Sequence, residues 1–479
     1  MALTDTLAEY FGFEEHDTDL QTEALAGLTT FLTMSYIVVV NPAILTATEG
    51  GPPGGIAVEG YSAGEVYQML AVVTILASAV AIFVMAFYAN RPFGLAPGLG
   101  LNAFFAITVV GVLGVPWQTA LAAVVVEGVI FAALTAVGAR EYVIDLFPEP
   151  VKFGVGTGIG LFLAIIGLQA MGIVIDDPAT LVSLGEVASD PVAVLSVLGL
   201  FLTFVLYAAE IRGSIILGIV LTTLAGAAAT VLGVVEPGVL AIEAVRNGGF
   251  DAGRLPSAQY DITPLAGAFV EGLRNVDALA FALVVFTFFF VDFFDTAGTL
   301  VGVGQAGGFL DEDGNFPDID KPLMADAVGT TVGGMLGTST VTTYLESATG
   351  VEEGGRTGMT ALVVGLLFLL SLLVVPLAAA IPLYASHIAL VVVAILLMQN
   401  VTEVRWEDFS HAVPAGLTIL VMPFTYSIAY GIAAGIISYP VVKTAQGELD
   451  DVRVGQWVLA GLLVVYFVVR TGGILSGAV

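Results

Sequence analysis

The sequence predicts an all-α polytopic membrane protein with about seven spans on each side of one long polar connection. Three observations predict it. Of 479 residues, 57% are hydrophobic and 11% charged, whereas an average soluble domain carries about a quarter charged residues. Uncharged apolar stretches of roughly 18 residues or more, long enough to cross about 30 Å of hydrocarbon, recur along nearly the whole chain, as at 24–48 and 213–235. The basic residues of the short connections fall on one side of the resulting map, as cytoplasmic loops do.

Residues 1–22 (MALTDTLAEYFGFEEHDTDLQT) are acidic and polar, without the basic start and short apolar core of a signal peptide. They form an expected cytoplasmic segment, and the first span is expected to be retained. A first repeat, 23–235, holds spans near 24–47, 66–88, 95–113, 117–139, 153–175, 191–209 and 213–235. Residues 236–278 form the long connection, assigned to the outside. A second repeat, 279–443, holds spans near 279–303, 322–337, 338–351, 357–380 and 383–399, followed by 413–442, which is too long for one simple span. Pro423 and the run Thr425, Tyr426, Ser427 predict two short helices meeting there. The remainder, 444–479, carries a further apolar stretch at 454–469, readable as an extra span or a surface helix.

With the N-terminus inside, Arg91, Arg140, Lys152, Arg212, Lys321, Arg356, Arg405 and Lys443 all fall in cytoplasmic connections. The external short loops 48–65 and 176–190 contain no Lys or Arg. Arg246, Arg254 and Arg274 sit in the long connection, where the rule is weak. A multi-pass protein of the cell membrane follows, surrounded by lipid.

The 42 acidic against 13 basic residues give a formal net charge of -29. Most acids fall in loops such as DDPAT, EVASD, LDEDGNFPDID and GELDD. Phosphate would be repelled, which excludes nucleic acid as a partner. Acidic loops with so few lysines suggest surfaces adapted to very high salt, where charge is strongly screened, and hence a halophilic source. The absence of cysteine excludes disulfides, thiolate metal sites and cysteine nucleophiles.

The third span of each half is abnormal. It reads FGLAPGLGLNAFFA in the first half and LGTSTVTTYLESATG in the second. Non-helical backbone at membrane depth survives only where it is buried in protein or lines a cavity. Corresponding interrupted segments in two halves point to a transporter's midplane site. The plainer alternative is glycine-rich helices in close contact.

Asp292 and Asp295 lie in FALVVFTFFFVDFFDTAGTL, which is otherwise almost wholly aliphatic and aromatic. An intramembrane carboxylate is expensive and marks function by default. At i, i+3 the two share a helix face, so that one can bind a ligand while the other holds or relays a proton. Pairing with a hydroxyl or backbone group is the alternative. Glu346 sits at the polar break, flanked by Thr343 and Ser347 as accessory groups. It can accept two N–H donors from a planar amide or imidazole-type ligand, or merely cap a half-helix. Asn102, in the first break, offers an acceptor and donors suited to the mixed edge of a heterocycle. Glu127 in AAVVVEGVIF is also an acid in apolar surroundings and a candidate coupling or accessory group, and Asp326 lies in LMADAVGT; each could instead pair with a neighbouring hydroxyl. Phe104, Phe105, Phe289 and Phe290 can stack on a flat ligand or simply pack.

Other apparent motifs are weaker. DEDGNFPDID lacks the twelve-residue calcium pattern ending in Glu, and His16, His387 and His411 fit no metal spacing. No GxSxG, Walker or HExxH motif appears. Neither metal nor cofactor is expected.

Four segments, GLTTFLTMSYIVVVNPAIL, RPFGLAPGLGLNAFFA, FFFVDFFDTAGTL and GTSTVTTYLESATGVEEGGRTGMTAL, resemble the signatures of the AzgA-like purine permeases. These are a branch of the nucleobase-ascorbate (xanthine/uracil permease) superfamily, also called nucleobase:cation symporters. The resemblance covers about residues 20–443, with the segments in order and spacing. It implies fourteen spans in a seven-plus-seven inverted repeat, with a core domain from spans 1–4 and 8–11 and a gate domain from spans 5–7 and 12–14. It implies a short strand followed by a half-helix in spans 3 and 10. It also implies import of adenine, guanine or hypoxanthine with protons, and substrate-binding residues at Asn102, Asp292 and Glu346. Asp295 matches the family string too, as coupling group or structural partner.

In the scheme so implied, protonation of one eighth-span carboxylate lets purine dock between the half-helix ends. Glu346 and Asn102 then read its edge, and the core moves against the gate. The expected partners are a purine nucleobase and a proton, with Na+ the alternative in a salt-rich habitat; a homodimer is a compatible assembly. An anion transporter or channel on the same architecture is the competing reading. Anion sites usually exploit a basic residue, however, where this chain places acids. A membrane enzyme or receptor would need catalytic motifs or a sizeable soluble domain, and neither is visible.

Overall fold

Among the described residues, ten helices are long and apolar enough to cross a membrane. They are Leu20–Leu45, Ala63–Ala89, Trp117–Ala136, Glu149–Ala170, Pro191–Ala208, Ser214–Val231, Ala280–Gly304, Gly358–Ala378, Leu383–Glu403 and Ile428–Ala445. Shorter apolar helices cover Leu99–Val112, Phe409–Thr425 and Val454–Val468. The structure, a computed structural model, describes residues 3–48, 54–138, 147–251, 258–274, 276, 278–310 and 316–471. Arg140, Arg254 and the DEDGN run of the 310–320 loop lie outside the described residues. The chain is a multi-pass helical membrane protein.

Small polar residues set where these helices begin. The side chains of Asp19, Asp190 and Asp408 accept from the backbone N–H of Thr22, Val192 and Ser410 at 2.8, 2.9 and 2.9 Å. Ser62 and Glu65 form a reciprocal capping box. Each cap satisfies a donor that the helix cannot, which fixes the point where polar chain turns into span. One cap comes from far away in sequence. Glu23, fully buried, accepts from the backbone N–H of Arg356, Thr357 and Thr360 at 3.0, 3.3 and 3.1 Å, and from the Thr360 hydroxyl at 2.6 Å. It thereby closes the start of the Gly358–Leu370 helix.

The long 413–442 stretch divides where the sequence places the division. Tyr426 takes a left-handed φ of 50° and ends the Phe409–Thr425 helix, and Ser427 caps the Ile428–Ala445 helix. Two hairpins were not foreseen. Val174–Asp177 pairs with Leu181–Leu184 where the preceding span had been expected to run on to 175. Three donors from Ala179 and Thr180 gather on Asp177 and turn the chain there. In the long connection, Val245–Arg246 pairs with Gly249–Phe250 around Asn247 and Gly248, and Gly248 supplies the left-handed residue of the turn at φ +81°.

The chain separates into two units. One comprises Met1–Ala136 with Ile166–Val392. Its centre holds Phe93, Phe104, Phe105, Phe131, Phe288, Phe290 and Phe368, each with no solvent exposure. Lipid is as apolar as these rings, so close packing and interhelical hydrogen bonds, rather than escape from water, hold such a centre together. At Gly128, for example, an added Cβ would lie 2.6 Å from Thr331 Oγ1 and 2.7 Å from its backbone nitrogen. Asn41 donates to the hydroxyls of Thr74 and Thr338 at 2.6 and 3.0 Å. The other unit comprises Val137–Ile165 with Val393–Val479. In it the Phe409–Thr425 and Ile428–Ala445 helices pack as a pair. The Val454–Thr471 helix lies against the second of them, with the Tyr430 and Phe467 rings 5.5 Å apart.

Candidate functional site

The two interrupted segments meet. Leu95–Pro97 pairs antiparallel with Val341–Thr343, in the register Leu95 to Thr343, Ala96 to Thr342 and Pro97 to Val341. The ladder continues at its ends. Gly98 N–H donates to Thr340 O at 3.0 Å, and Tyr344 N–H to Gly94 O at 3.0 Å. Pro97 has no N–H to give, and its carbonyl instead accepts the Tyr344 hydroxyl at 2.6 Å. Ser347 Oγ accepts from Gly94 N–H at 3.0 Å. A Cβ at Gly98 would stand 2.8 Å from the Thr342 methyl. All six strand residues are buried, and pairing satisfies backbone groups that have no helix to serve them.

Beyond the ladder each segment becomes helical, and the candidate residues stand at those turns. Glu346 precedes the Ser347–Glu352 helix, yet its side chain makes no capping bond. Its Oε1 instead accepts the Tyr36 hydroxyl at 2.7 Å. Asn102, on the Leu99–Ala103 helix, is fully buried. Its Nδ2 lies 3.5 Å from Pro97 O, the outer limit of a hydrogen bond, and its Oδ1 has no partner. Buried polar atoms are nearly always satisfied, so Oδ1 stands out as a buried acceptor without a protein partner. Asp295 is half-buried and within electrostatic reach of Glu346.

Asp292 looks elsewhere. Its neighbour at i+3 is about a sixth of a turn away around the helix, enough to give the two acids different surroundings. Asp292 is fully buried; Oδ2 accepts from the Thr330 hydroxyl at 3.2 Å, and Oδ1 has no donor. Glu127 faces it from the Trp117–Ala136 helix, fully buried and with neither oxygen satisfied. Asp326 is the opposite case. Its oxygens accept from Thr296 at 2.7 Å and Thr343 at 3.3 Å, the hydroxyl pairing that is the plainer role for a buried acid.

Thr343 and Ser347 are thus tied into the scaffold, by Asp326 and Gly94 respectively. Phe104 and Phe105 set their rings 4.9 and 6.4 Å from Phe288, and Phe289 packs on Phe131 at 5.9 Å. Phe290 packs on Phe294 at 4.8 Å. Three contributors escaped the sequence reading: Tyr36, Tyr344 and Thr330. A tyrosine inside an apolar span needs a partner for its hydroxyl, a signal that was present in GLTTFLTMSYIVVV. Thr330 is one threonine among many, and nothing local distinguishes it.

A family model described as Permease family, that of the xanthine/uracil permeases, matches residues 21–434. The adenine permease AdeP of Escherichia coli (strain K12) is 40% identical over 445 residues, 93% of this chain and 92% of its own length. The guanine/hypoxanthine permease PbuG of Bacillus subtilis (strain 168) is 37% identical over 460 residues, 96% of this chain and 99% of its own. Among solved structures, the transmembrane domain of the cyanobacterium bicarbonate transporter BicA matches with a TM-score of 0.56 at 16% identity. That match covers 87% of this chain and 97% of the other. At such low identity the likeness extends to the fold alone.

Proposed function

The chain belongs to the xanthine/uracil permease family, and from that premise we propose that it imports purine nucleobases, namely adenine, guanine or hypoxanthine, by proton symport across the cell membrane. It is a transporter and not an enzyme. Relatives named as adenine and guanine/hypoxanthine permeases, alike over nearly the full length, support the substrate class.

One observation carries the reading: the two strands that pair are followed, beyond opposite ends of the ladder, by a buried amide on one side and a carboxylate on the other, Asn102 and Glu346. A purine edge mixes N–H donors with ring-nitrogen and carbonyl acceptors. Glu346 accepts the donors, oriented through Tyr36, and Asn102 serves a neighbouring donor–acceptor pair. Asp292, which faces Thr330 and Glu127, joins the set through Thr330 and the strand at Val341. The substrate face holds acids, which does not suit an anion, so the bicarbonate transporter's likeness is taken as one of fold. Four shorter elements, Leu99–Val112, Asp320–Leu336, 341–352 and Phe409–Thr425, added to the ten longer helices, make the fourteen spans of this reading. The N-terminus is then cytoplasmic.

The test is uptake of labelled adenine, guanine, hypoxanthine, xanthine and uracil by a purine-transport-deficient host, with and without a proton uncoupler. Accumulation of a purine that the uncoupler abolishes is expected. If no purine accumulates, the reading is wrong.

A further inference from the structure

We propose that Glu127 and Asp292 hold the coupling ion as one proton shared between their carboxyls, and that Thr330 passes its presence on to the strand at Val341. This rests on the purine symport reading and names the seat of its proton.

Two carboxylates cannot hydrogen-bond to each other, because both only accept. Yet Glu127 and Asp292 are set side by side where their helices pack, Phe131 one turn from Glu127 touching Phe289 and Phe293 around Asp292. As bare carboxylates, both Glu127 oxygens and Asp292 Oδ1 are buried without a donor. A single proton turns two facing oxygens into donor and acceptor, leaving one Glu127 oxygen without a protein partner. It arrives from water on one side of the membrane, forms an O–H bond on one of the two carboxyls, and leaves to water on the other side.

The packing fixes this arrangement independently. Phe131 lies one helical turn from Glu127 and on the same face. Its ring is 5.9 Å from that of Phe289 and 5.5 Å from that of Phe293, residues on either side of Asp292. Gly128, the next residue, lets the Asp320–Leu336 helix approach so closely that a Cβ would touch Thr331 and lie 3.0 Å from Thr330. The pair is therefore clasped by three helices. The other titratable groups that bear on it are Asp326, across from it, and Asp295, on the same helix. Both are acids. Asp326 is occupied by two threonines, and Asp295 stands toward Glu346; neither offers the pair a donor.

Thr330 makes the proton consequential. Its one hydroxyl proton has two acceptors, Val341 O at 2.9 Å and Asp292 Oδ2 at 3.2 Å, while the same hydroxyl accepts from Val341 N–H at 3.2 Å. A charged acceptor forms the stronger bond. With Asp292 ionised, its carboxylate draws the hydroxyl proton away from Val341; with the shared proton on Asp292, Val341 keeps it. Val341 is paired with Pro97, whose carbonyl is the one Asn102 approaches. The proton's presence is thus felt at a substrate residue. Thr330 is a positioning residue in this scheme.

The experiment uses the full chain in proteoliposomes, with labelled adenine and hypoxanthine. Two quantities are read: exchange at equal pH, and accumulation under an imposed inward proton gradient. Wild type should exchange purine and accumulate it about tenfold per unit of pH difference for one proton per purine. Glu127→Gln should keep exchange while its accumulation ratio falls to unity, and Glu127→Asp should restore accumulation. Thr330→Val should uncouple likewise, with rescue by Thr330→Ser. Gradient-driven accumulation by Glu127→Gln equal to wild type overturns the proposal, as does accumulation driven by a sodium gradient alone. The wild type provides a check that needs no variant: an infrared band of a buried protonated carboxyl at pH values where exchange is observed. Its absence there also overturns the proposal. A wild type that exchanges no purine sinks the symport reading itself, which separates the two failures.

Discussion

Glu346 shows how a residue's cost can be readable while its partner is not. A carboxylate in an apolar chain is conspicuous, and Asp292, Asp295 and Glu127 stand out on that ground, Glu346 on its place in the polar break. The Tyr36 hydroxyl on Glu346 spans 310 residues of sequence, and no local pattern reports it. Likewise, the sequence placed Asp292 and Asp295 on one face, but only the packed neighbours give one of them Thr330 and Glu127 and the other Glu346. Two outcomes are expected at this scale. Glu346→Gln and Asp292→Asn should abolish purine uptake while the protein still inserts, shown by membrane yield beside transport. Normal uptake by both would refute the proposed site. Tyr36→Phe removes a hydrogen bond to a charged group, worth roughly 1.5 kcal/mol or more. It should weaken the apparent purine affinity about tenfold, seen as a raised KM with unchanged protein level, and an unaltered KM would argue against an orienting role.

At the scale of elements, hydropathy made the spans legible, and the structure adds the caps that start them. Asp19, Ser62, Asp190 and Asp408 end loops where the apolar runs begin. The Tyr426 break was legible too, from its proline and hydroxyl-rich neighbourhood. The strands were not, on residue grounds. FGLAP and STVTT read only as poor helix, and what they pair with depends on the other half of the chain. The Asn247, Gly248 turn was a legible signal that went unused. Glu23 belongs to this scale as well, since it closes one helix from another. Glu23→Ala strips four donors of their acceptor and should lower stability by about 3 kcal/mol, read as a clear drop in Tm in detergent. A Tm unchanged from wild type would mean water replaces the carboxylate without loss.

For the whole molecule, the order of apolar segments was plain from composition, whereas the grouping into two units was not, because contact between distant segments leaves no periodic trace. Net charge makes its own prediction. At -29, self-repulsion is screened over about 10 Å at 0.1 M salt and about 3 Å at 1 M. Tm should therefore climb as KCl is raised through that range, and a Tm that stays flat would remove salt adaptation as the explanation of the acidic loops. The strand ladder carries a different consequence, one for biogenesis. Tyr344 and Pro97, which lock its end, are 247 residues apart. While the ribosome is still making the second half, the Leu95–Pro97 strand must wait in or beside the insertion machinery with its backbone unpaired. Membrane insertion of the early spans and completion of the fold are accordingly separate events, and a nascent chain halted between them is the form that quality-control proteases would meet.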